Sequence, residues 1–509
     1  MTGAAATVFE LIERGAAARP EAVYAVAVDE TQAMTYGALR DACAELGDSL
    51  AETGLVPGAT ISLVMPNGLQ TLRLLLGFMH AGFCVNPVNL LSQPEQMRYV
   101  LEHSDCRLVV VAPEWAERVR VALAGLGRDV RLVVLAADGD IDALHAAFPR
   151  PATSRDRLPP SPDATALLMY TSGTTGVPKG VMLTQANLAA NARAIGVEHG
   201  LGQDDRVLAV LPLYHINAFA VTMLAPLAHG GSVAMAPRFS AAQFWAQAIQ
   251  LRCTWLNVVP TIISYLLEGE TPPRASLARI RFCRSASAAL PPEHHRAFEA
   301  KFGIGVIETM GLTETVAPAF SNPLAATERK VGSVGRASGG EARVVDPSLA
   351  PVGDGVTGEI VIRGPHVMRG YYKHDEATRA SFTQDGWLRT GDLGHRDADG
   401  FYFVTGRIKE LIIKGGENIA PREIDEVLLA HPAVLEAAAV GIPDRHYGQE
   451  IMACVVLREG VSCDHDELRA FCCERLGKFK TPKTLRFVTS LPRGPSGKVQ
   501  RLKLLEWTA

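Results

Sequence analysis

The chain carries no excess charge, no cysteine framework and no long lipid-facing run, and each absence removes a class of function. Fifty basic residues stand against 54 acidic ones, a net charge of −4 over 509 residues. Such balance gives no global attraction to nucleic acid or to an anionic membrane surface. The nine cysteines are scattered, apart from adjacent Cys472 and Cys473. There is no C-x-x-C pair and no His-flanked cluster of zinc type, and the count is odd. Reduced thiols in a cytoplasm fit better than a disulfide framework. The first residues, MTGAAATVFELIERG, have acidic side chains early and no apolar core of the signal-peptide kind. The longest apolar stretch, residues 207–236, contains Pro212, His215, Asn217 and Pro226. These argue against a span through lipid and for a mixture of core and site. The expectation is a cytoplasmic protein without membrane insertion. No internal repeat is found.

What is present is a long chain with 48% hydrophobic residues, enough for at least two domains. Residues 60–65 read as a buried strand, 69–81 as a helix, and 109–111 and 132–135 as further strands. Strands alternating with helices predict an α/β class with largely parallel sheets. Residues 158–163 have the Pro/Ser content of a connector. The rhythm changes near residue 400. A strand at 401–404 is followed by a helix at 421–430, strands at 434–440 and 451–457, a helix at 464–476 and a basic tail. The expected organisation is a large body over residues 1–406, built of α/β subdomains with mixed sheets. A short charged link at 407–409 leads to a smaller α+β domain at 410–509. A link of that kind between compact bodies is where a hinge sits.

The sharpest local signal is YTSGTTGVPKG at residues 170–180. An apolar strand precedes it at 166–169. A second strand at 181–183 and a helix capped by Thr184 follow. The glycines let the backbone turn sharply and present N–H groups to phosphate oxygens. Thr171, Ser172, Thr174 and Thr175 add hydroxyl donors, and Lys179 adds a positive charge. No Gly-Lys-Ser/Thr closes the loop, so it is not the P-loop of NTPases.

This stretch resembles the signature loop of the adenylate-forming superfamily, which holds acyl-CoA synthetases, luciferases and peptide-synthetase adenylation domains. Further motifs follow in that family's order along essentially the whole chain. The resemblance implies an ATP-dependent acyl-CoA synthetase: it joins a carboxylic acid to AMP with release of pyrophosphate, then passes the acyl group to coenzyme A. By the same resemblance, Ser172, Gly173, Thr174, Thr175, Gly176 and Lys179, with Thr171, cradle the phosphates. LPLYH at 211–215 looks like the segment whose histidine, His215, lies beside the carboxylate. Ser287 and Ala288, in SASAALP at 285–291, match the small-residue loop under adenine. ETMGLTE at 308–314 supplies Glu308, Thr309, Met310 and Gly311 to the nucleotide, Thr313 to a phosphate oxygen and Glu314 to Mg²⁺. Met310 stands where the family usually has an aromatic residue, and its thioether can still pack on a ring. Asp392 resembles the residue that accepts from both ribose hydroxyls, with Arg407 assisting.

In the C-terminal part, GRIKE at 406–410 resembles the hinge, with Lys409 at its pivot. Lys414, Gly415 and Gly416 resemble the wall of the pantetheine tunnel. Tyr447, Phe479 and Lys483 match positions that hold the CoA nucleotide in some relatives. PRGPSGKVQR at 492–501 resembles the final motif, whose lysine, Lys498, contacts the carboxylate and α-phosphate during adenylation. From Lys478 to Lys503 there are eight basic residues and no acidic one, so a merely solubilising tail is the plain alternative.

For the acid, PRFS at 237–240 and the segment around Trp255 resemble small-acid members such as oxalyl-CoA synthetases. The histidine those carry after the glutamate motif is replaced here by Thr315, Val316 and Ala317. No Asp lies between Tyr214 and Ala228 to hold an amino group, which disfavours amino acids. No Arg or Lys is evident around the expected pocket of His215, Asn217, Val258, Met310, Gly311 and Thr315. A second carboxylate would then lack a partner. The expected substrate is a short, medium or aromatic monocarboxylate, with Asn217 as its polar reader. Rival readings are an amide-forming ligase, a ligase loading a carrier protein, and a non-enzymatic sensor. A homodimer stays open.

Overall fold

Uninterrupted apolar runs form the interior strands. Leu108–Val111 is buried at all four residues and Thr60–Val64 at all five, as strands covered on both faces must be. The protein is described by a computed structural model over residues 6–150, 158–171, 177–493 and 499–508. Four sheets organise it. The first, of seven strands, runs in the order Gly370–Tyr371, Lys179–Thr184, Thr165–Thr171, Cys84–Pro87, Thr60–Val64, Leu108–Val111, Arg131–Val134. The five from Thr165–Thr171 to Arg131–Val134 are parallel, while Lys179–Thr184 returns antiparallel.

The second sheet has nine strands. Its parallel centre runs Val306–Met310, Phe282–Ser285, Trp255–Val258, Arg206–Ala209, Ser232–Met235, Val23–Ala27. Antiparallel strands close both edges. The helix Leu69–His80 is buried along its whole length, so it belongs to the interior rather than the surface. Residues 207–236 form core, including a π-helix, Asn217–Leu224, with every residue buried. Among the described residues no helix is long and apolar enough to cross a membrane.

A third, four-stranded antiparallel sheet ends in Leu388–Arg396 and Tyr402–Arg407. The chain leaves it through the single turn Ile408–Glu410 and enters the fourth sheet at Ile412–Lys414. That sheet carries a long hairpin, Val434–Asp444 with Gly448–Leu457. The helices Pro421–Leu429 and His465–Lys480 pack on it through Ile424, Leu428, Leu468 and Cys472, a hydrophobic centre separate from the large body's. The last helix runs past the expected residue 476, across a break at Gly477 (φ 71°). Thr184 caps Gln185–Glu198 as expected, its hydroxyl accepting from the Asn187 N–H. All nine cysteines are free thiols. The class is α/β with mixed sheets, and the smaller unit is α+β.

Candidate active site

The C-terminal ends of the parallel strands of the second sheet open into a cavity of about 1120 Å³. Such strand ends are where α/β sheets bind ligands. Ser287, Ala288, Glu308, Met310, Gly311 and Asp392 form the wall on the large body. Arg422, Glu426, Arg493, Val499 and Arg501 face them from the small unit. The cavity therefore lies between the two bodies.

Each wall residue is set by local backbone. Phe282–Ser285 ends in a turn where Ser287 takes φ 76°, a left-handed conformation costly for a residue with a Cβ. Gly311 follows Val306–Met310, and a Cβ there would sit 2.8 Å from the Cα atoms of both Ala317 and Pro318. Only glycine permits that approach. Glu308 is buried, with one carboxylate oxygen accepting from the Leu290 N–H at 3.1 Å and the other without a partner among the described residues. Burial pushes its carboxyl up to about 7.

On the third sheet, antiparallel pairing sets Asp392 opposite Arg407. Arg407 Nε donates to Asp392 Oδ1 at 2.6 Å and Nη2 to Oδ2 at 3.4 Å. The Asp392 side chain is 4% exposed and that of Arg407 45%, so the pair has a buried acceptor and a wet donor. Asp392 raises the Arg407 guanidinium further above its ordinary value. Arg407 is the last residue before the connecting turn that holds exposed Lys409.

Thr171 and Lys179 pair across the antiparallel strands that flank residues 172–176. Ser172, Gly173, Thr174, Thr175 and Gly176 lie outside the described residues. Lys179 Nζ stands 5.0 Å over the Tyr371 ring, and the Tyr371 hydroxyl donates to Glu314 Oε1 at 2.8 Å. Burial, then the Glu314 charge, push the phenol up, so it stays a donor. Tyr371 was not read from the sequence as a site residue. It arrives on a two-residue strand, Gly370–Tyr371, paired to Lys179–Thr184, and nothing local in the sequence announces that pairing. Thr313 and Glu314 lie on the single 3-10 turn Thr313–Thr315. Glu314 is the carboxylate that could hold a hard cation. One protein carboxylate suits Mg²⁺ held otherwise by phosphate and water.

Lys498 lies outside the described residues. Arg493 and Val499, on either side of residues 494–498, bridge to each other and line the cavity. Arg501 grips buried Asp425 through two N–H donors, at 2.6 and 3.2 Å, and reaches Glu410 of the connecting turn at 3.4 Å. The CoA candidates gather elsewhere on the small unit. Gly415 and Gly416, both at positive φ, turn between two short strands. Lys414 Nζ pairs with Glu450 at 2.5 Å, donates to the Phe479 carbonyl at 2.8 Å, and lies 5.5 and 4.9 Å from the Tyr447 and Phe479 rings. Lys483 pairs with Asp444 at 3.0 Å. None of these lines the cleft in this arrangement.

In the expected acyl region, His215 follows a turn on Pro212 and lies 4.8 Å, ring to ring, from Tyr214. Val258 ends its strand buried, and Thr309 donates to the Ser285 carbonyl at 3.4 Å. The Thr315 hydroxyl is taken by its own turn, bonded to the Leu312 N–H and carbonyl. Asn217 donates to Ser287 Oγ at 3.3 Å and accepts from Arg284 Nη1 at 2.6 Å. The expectation that no basic residue lies near this pocket is therefore corrected. Arg284 sits on the strand Phe282–Ser285, fully buried, against Asn217 and Asn257. The signal was available: a single charge inside FCRS, a strand buried at every position.

With this geometry in hand, comparison with known proteins defines the class. The AMP-binding enzyme family matches residues 12–372, and the AMP-binding enzyme C-terminal domain matches 423–498. The chain belongs to the AMP-binding enzyme family. Within it the chain is an AMP-forming CoA ligase that activates carboxylic acids as adenylates. It is 60% identical to the sulfoacetate–CoA ligase of Cupriavidus necator over 98% of this chain and 97% of that one. It is 36% identical to the oxalate–CoA ligase of Arabidopsis thaliana over 92% of each. Among solved structures, ATP-bound MatB from Rhodopseudomonas palustris matches with a TM-score of 0.91, and apo MatB with 0.79. Both are 31% identical, covering 99% of this chain and 98% of that one.

Proposed function

We propose that the cleft adenylates a short carboxylic acid and that the small unit then turns about Lys409 to bring CoA to the same cleft. The observation that carries this is the cavity itself. Asp392, Met310 and Glu308 form one wall, and Arg493, Val499 and Arg501 face them from the chain around Lys498. The sulfoacetate–CoA ligase at 60% identity makes sulfoacetate the first acid to try. Free thiols throughout support a reducing, cytoplasmic setting.

A carboxylate is a poor acyl donor because its leaving group is oxide, and transfer to the α-phosphate replaces oxide by AMP. Thr171 and Lys179 hold the mouth of the phosphate loop. Asp392 accepts from the two ribose hydroxyls, and Arg407, released from it, turns to sugar or phosphate. Glu314, oriented by Tyr371, holds Mg²⁺, which supplies charge neutralisation at the triphosphate when bound. Lys498 brings its ammonium to the carboxylate and α-phosphate, where negative charge accumulates as pyrophosphate departs. The turn then withdraws Lys498. In its place comes the face bearing Lys414, Gly415, Gly416, Tyr447, Phe479 and Lys483, whose exposed rings and exposed Lys483 suit a nucleotide thiol. Arg501, tied to Asp425 and to Glu410 of the connecting turn, keeps the Lys498 segment in step with that turn. The test is AMP and pyrophosphate release across a panel of short acids, with and without CoA. Sulfoacetate with CoA is expected to give both products and a thioester. A panel in which no acid yields AMP overturns the proposal.

A further inference from the structure

Arg284 is a fully buried guanidinium whose surroundings among the described residues do not account for it. Nη1 is committed twice, donating to Asn217 Oδ1 at 2.6 Å and to Asn257 Oδ1 at 2.7 Å. Nε and Nη2 are buried with no partner among the described residues. Only burial perturbs the group, with no carboxylate contributing, and it pushes the guanidinium down to about 9, still charged at neutral pH. A buried cation without a counter-ion is among the costliest arrangements in a protein interior, and neutral amides offset only part of that cost. The side chain is nonetheless held firmly, by two asparagines from two different elements: the π-helix Asn217–Leu224 and the strand Trp255–Val258. Asn257 also donates to Asn217 at 3.4 Å, which fixes both amide orientations.

The direction of the vacant donors matters. With Nη1 occupied, the open edge of the guanidinium is the Nε–Nη2 side, two parallel N–H groups. That edge matches two oxygens of one oxyanion, carboxylate or sulfonate. The site also connects to the cleft. Asn217 donates to Ser287 Oγ, and Ser287 is part of the cavity wall beside Met310 and Gly311. A chain of polar contacts therefore runs from the cavity wall through Ser287 and Asn217 to Arg284 Nη1, next to the open edge.

We infer that Arg284, held by Asn217 and Asn257, is the specificity residue for a second anionic group on the far end of the acid. The substrates are then short acids with an oxyanion at each end: one carboxylate is adenylated, and the other group enters the Nε–Nη2 fork as the missing counter-ion. This rests on reading the cleft as the site of adenylation. A monocarboxylate of the same length leaves the buried cation unpaired and is disfavoured for that reason. Length is limited too, because the path from Ser287 to Arg284 passes through a single intervening side chain.

The experiment is AMP release with CoA for four acids of matched size: sulfoacetate, malonate, propionate and butyrate. Each is run with the wild type, Arg284→Met and Asn257→Asp. In the wild type, kcat/KM for the acids with a distal anion is expected to exceed that for propionate by at least about 100-fold, the measure of a charge-assisted bidentate pair. Sulfoacetate and malonate separate a sulfonate preference from a carboxylate preference. Arg284→Met is expected to collapse the ratio of distal-anion acid to propionate by about 100-fold. Asn257→Asp keeps Arg284 in place but supplies an internal counter-ion, and it is expected to collapse the same ratio, so the test survives if Arg284→Met fails to fold. A wild type that handles all four acids alike, or variants that depress all acids by one common factor, would make Arg284 a structural strut and overturn the inference. If no acid gives AMP, the failure lies with the adenylation reading instead.

Discussion

Two groups of cations around the cleft are held in opposite ways. At the nucleotide end, Arg407 is already paired with Asp392, and Lys179 lies over a ring bonded to Glu314. Arg407 is ion-paired and Lys179 is engaged by a ring, both partly open to water, so a ligand exchanges partners to bind there. At the acyl end, Arg284 is dry and lacks an anion among the described residues. There the ligand completes a pair instead of competing for one. The difference teaches where discrimination is placed. Exchange of partners gives affinity for a cofactor-like nucleotide of fixed chemistry, whereas completing a buried pair gives selectivity among acids that differ by one group.

The comparison can be broken at several points. The largest effect is expected from Lys498→Ala: adenylate formation should fall by about 10³-fold or more, as for loss of a preorganised cation at developing charge. Consumption of a supplied acyl-adenylate with CoA should persist, and single-turnover assays of the two half-reactions check it. Asp392→Ala comes next, with kcat/KM for ATP lowered by about 10²-fold. Its thermal midpoint should hardly move, because Arg407 is 45% exposed and can turn to solvent. At the acyl end stability should respond in the other direction. Asn257→Asp gives Arg284 a partner, and the protein without its acid should gain about 1 kcal/mol in denaturant unfolding. Loss of stability there would mean that Arg284 is already satisfied.

A separate, pH-dependent effect concerns Glu308. Its folded carboxyl is raised to about 7 by burial, against an ordinary value of 4.5. The folded state therefore binds the proton more tightly than the unfolded chain. The contribution is full below pH 4.5, is lost progressively as pH rises towards 7, and is flat beyond. Glu308→Gln should remove this slope, a difference of a few kcal/mol at most between pH 5 and pH 8. Paired thermal melts of wild type and variant read it directly.

The residues proposed for the nucleotide come in contiguous motifs, and the structure brings several of them to one cleft. ETMGLTE places Glu308, Met310, Gly311 and Glu314 on one strand and the turn after it, and TGD places Asp392 on another. The acyl end is assembled differently. Asn217, Asn257 and Arg284 are single residues on a π-helix and two neighbouring strands, and only the register of Asn257 with Arg284 makes them a set. Tyr371 reached Glu314 in the same way, through a two-residue strand pairing. Strand and helix positions in the body followed from apolar runs and a Thr184 cap, whereas the order of strands within the sheets came from long-range pairing that no local pattern carries. Reading the pocket as lacking a base failed for a related reason: Arg284 was hidden inside an apolar strand, where a charge is easily taken for a strand edge.

The most direct measurement is a single turnover with ATP labelled at the α-phosphate, sulfoacetate and excess enzyme, first without CoA and then with it. Labelled acyl-adenylate should accumulate on the enzyme alone and discharge to AMP and a thioester when CoA is added. Label appearing in ADP, or AMP forming only after CoA is present with no adenylate before it, would contradict a mechanism in which one cleft activates the acid before the small unit turns.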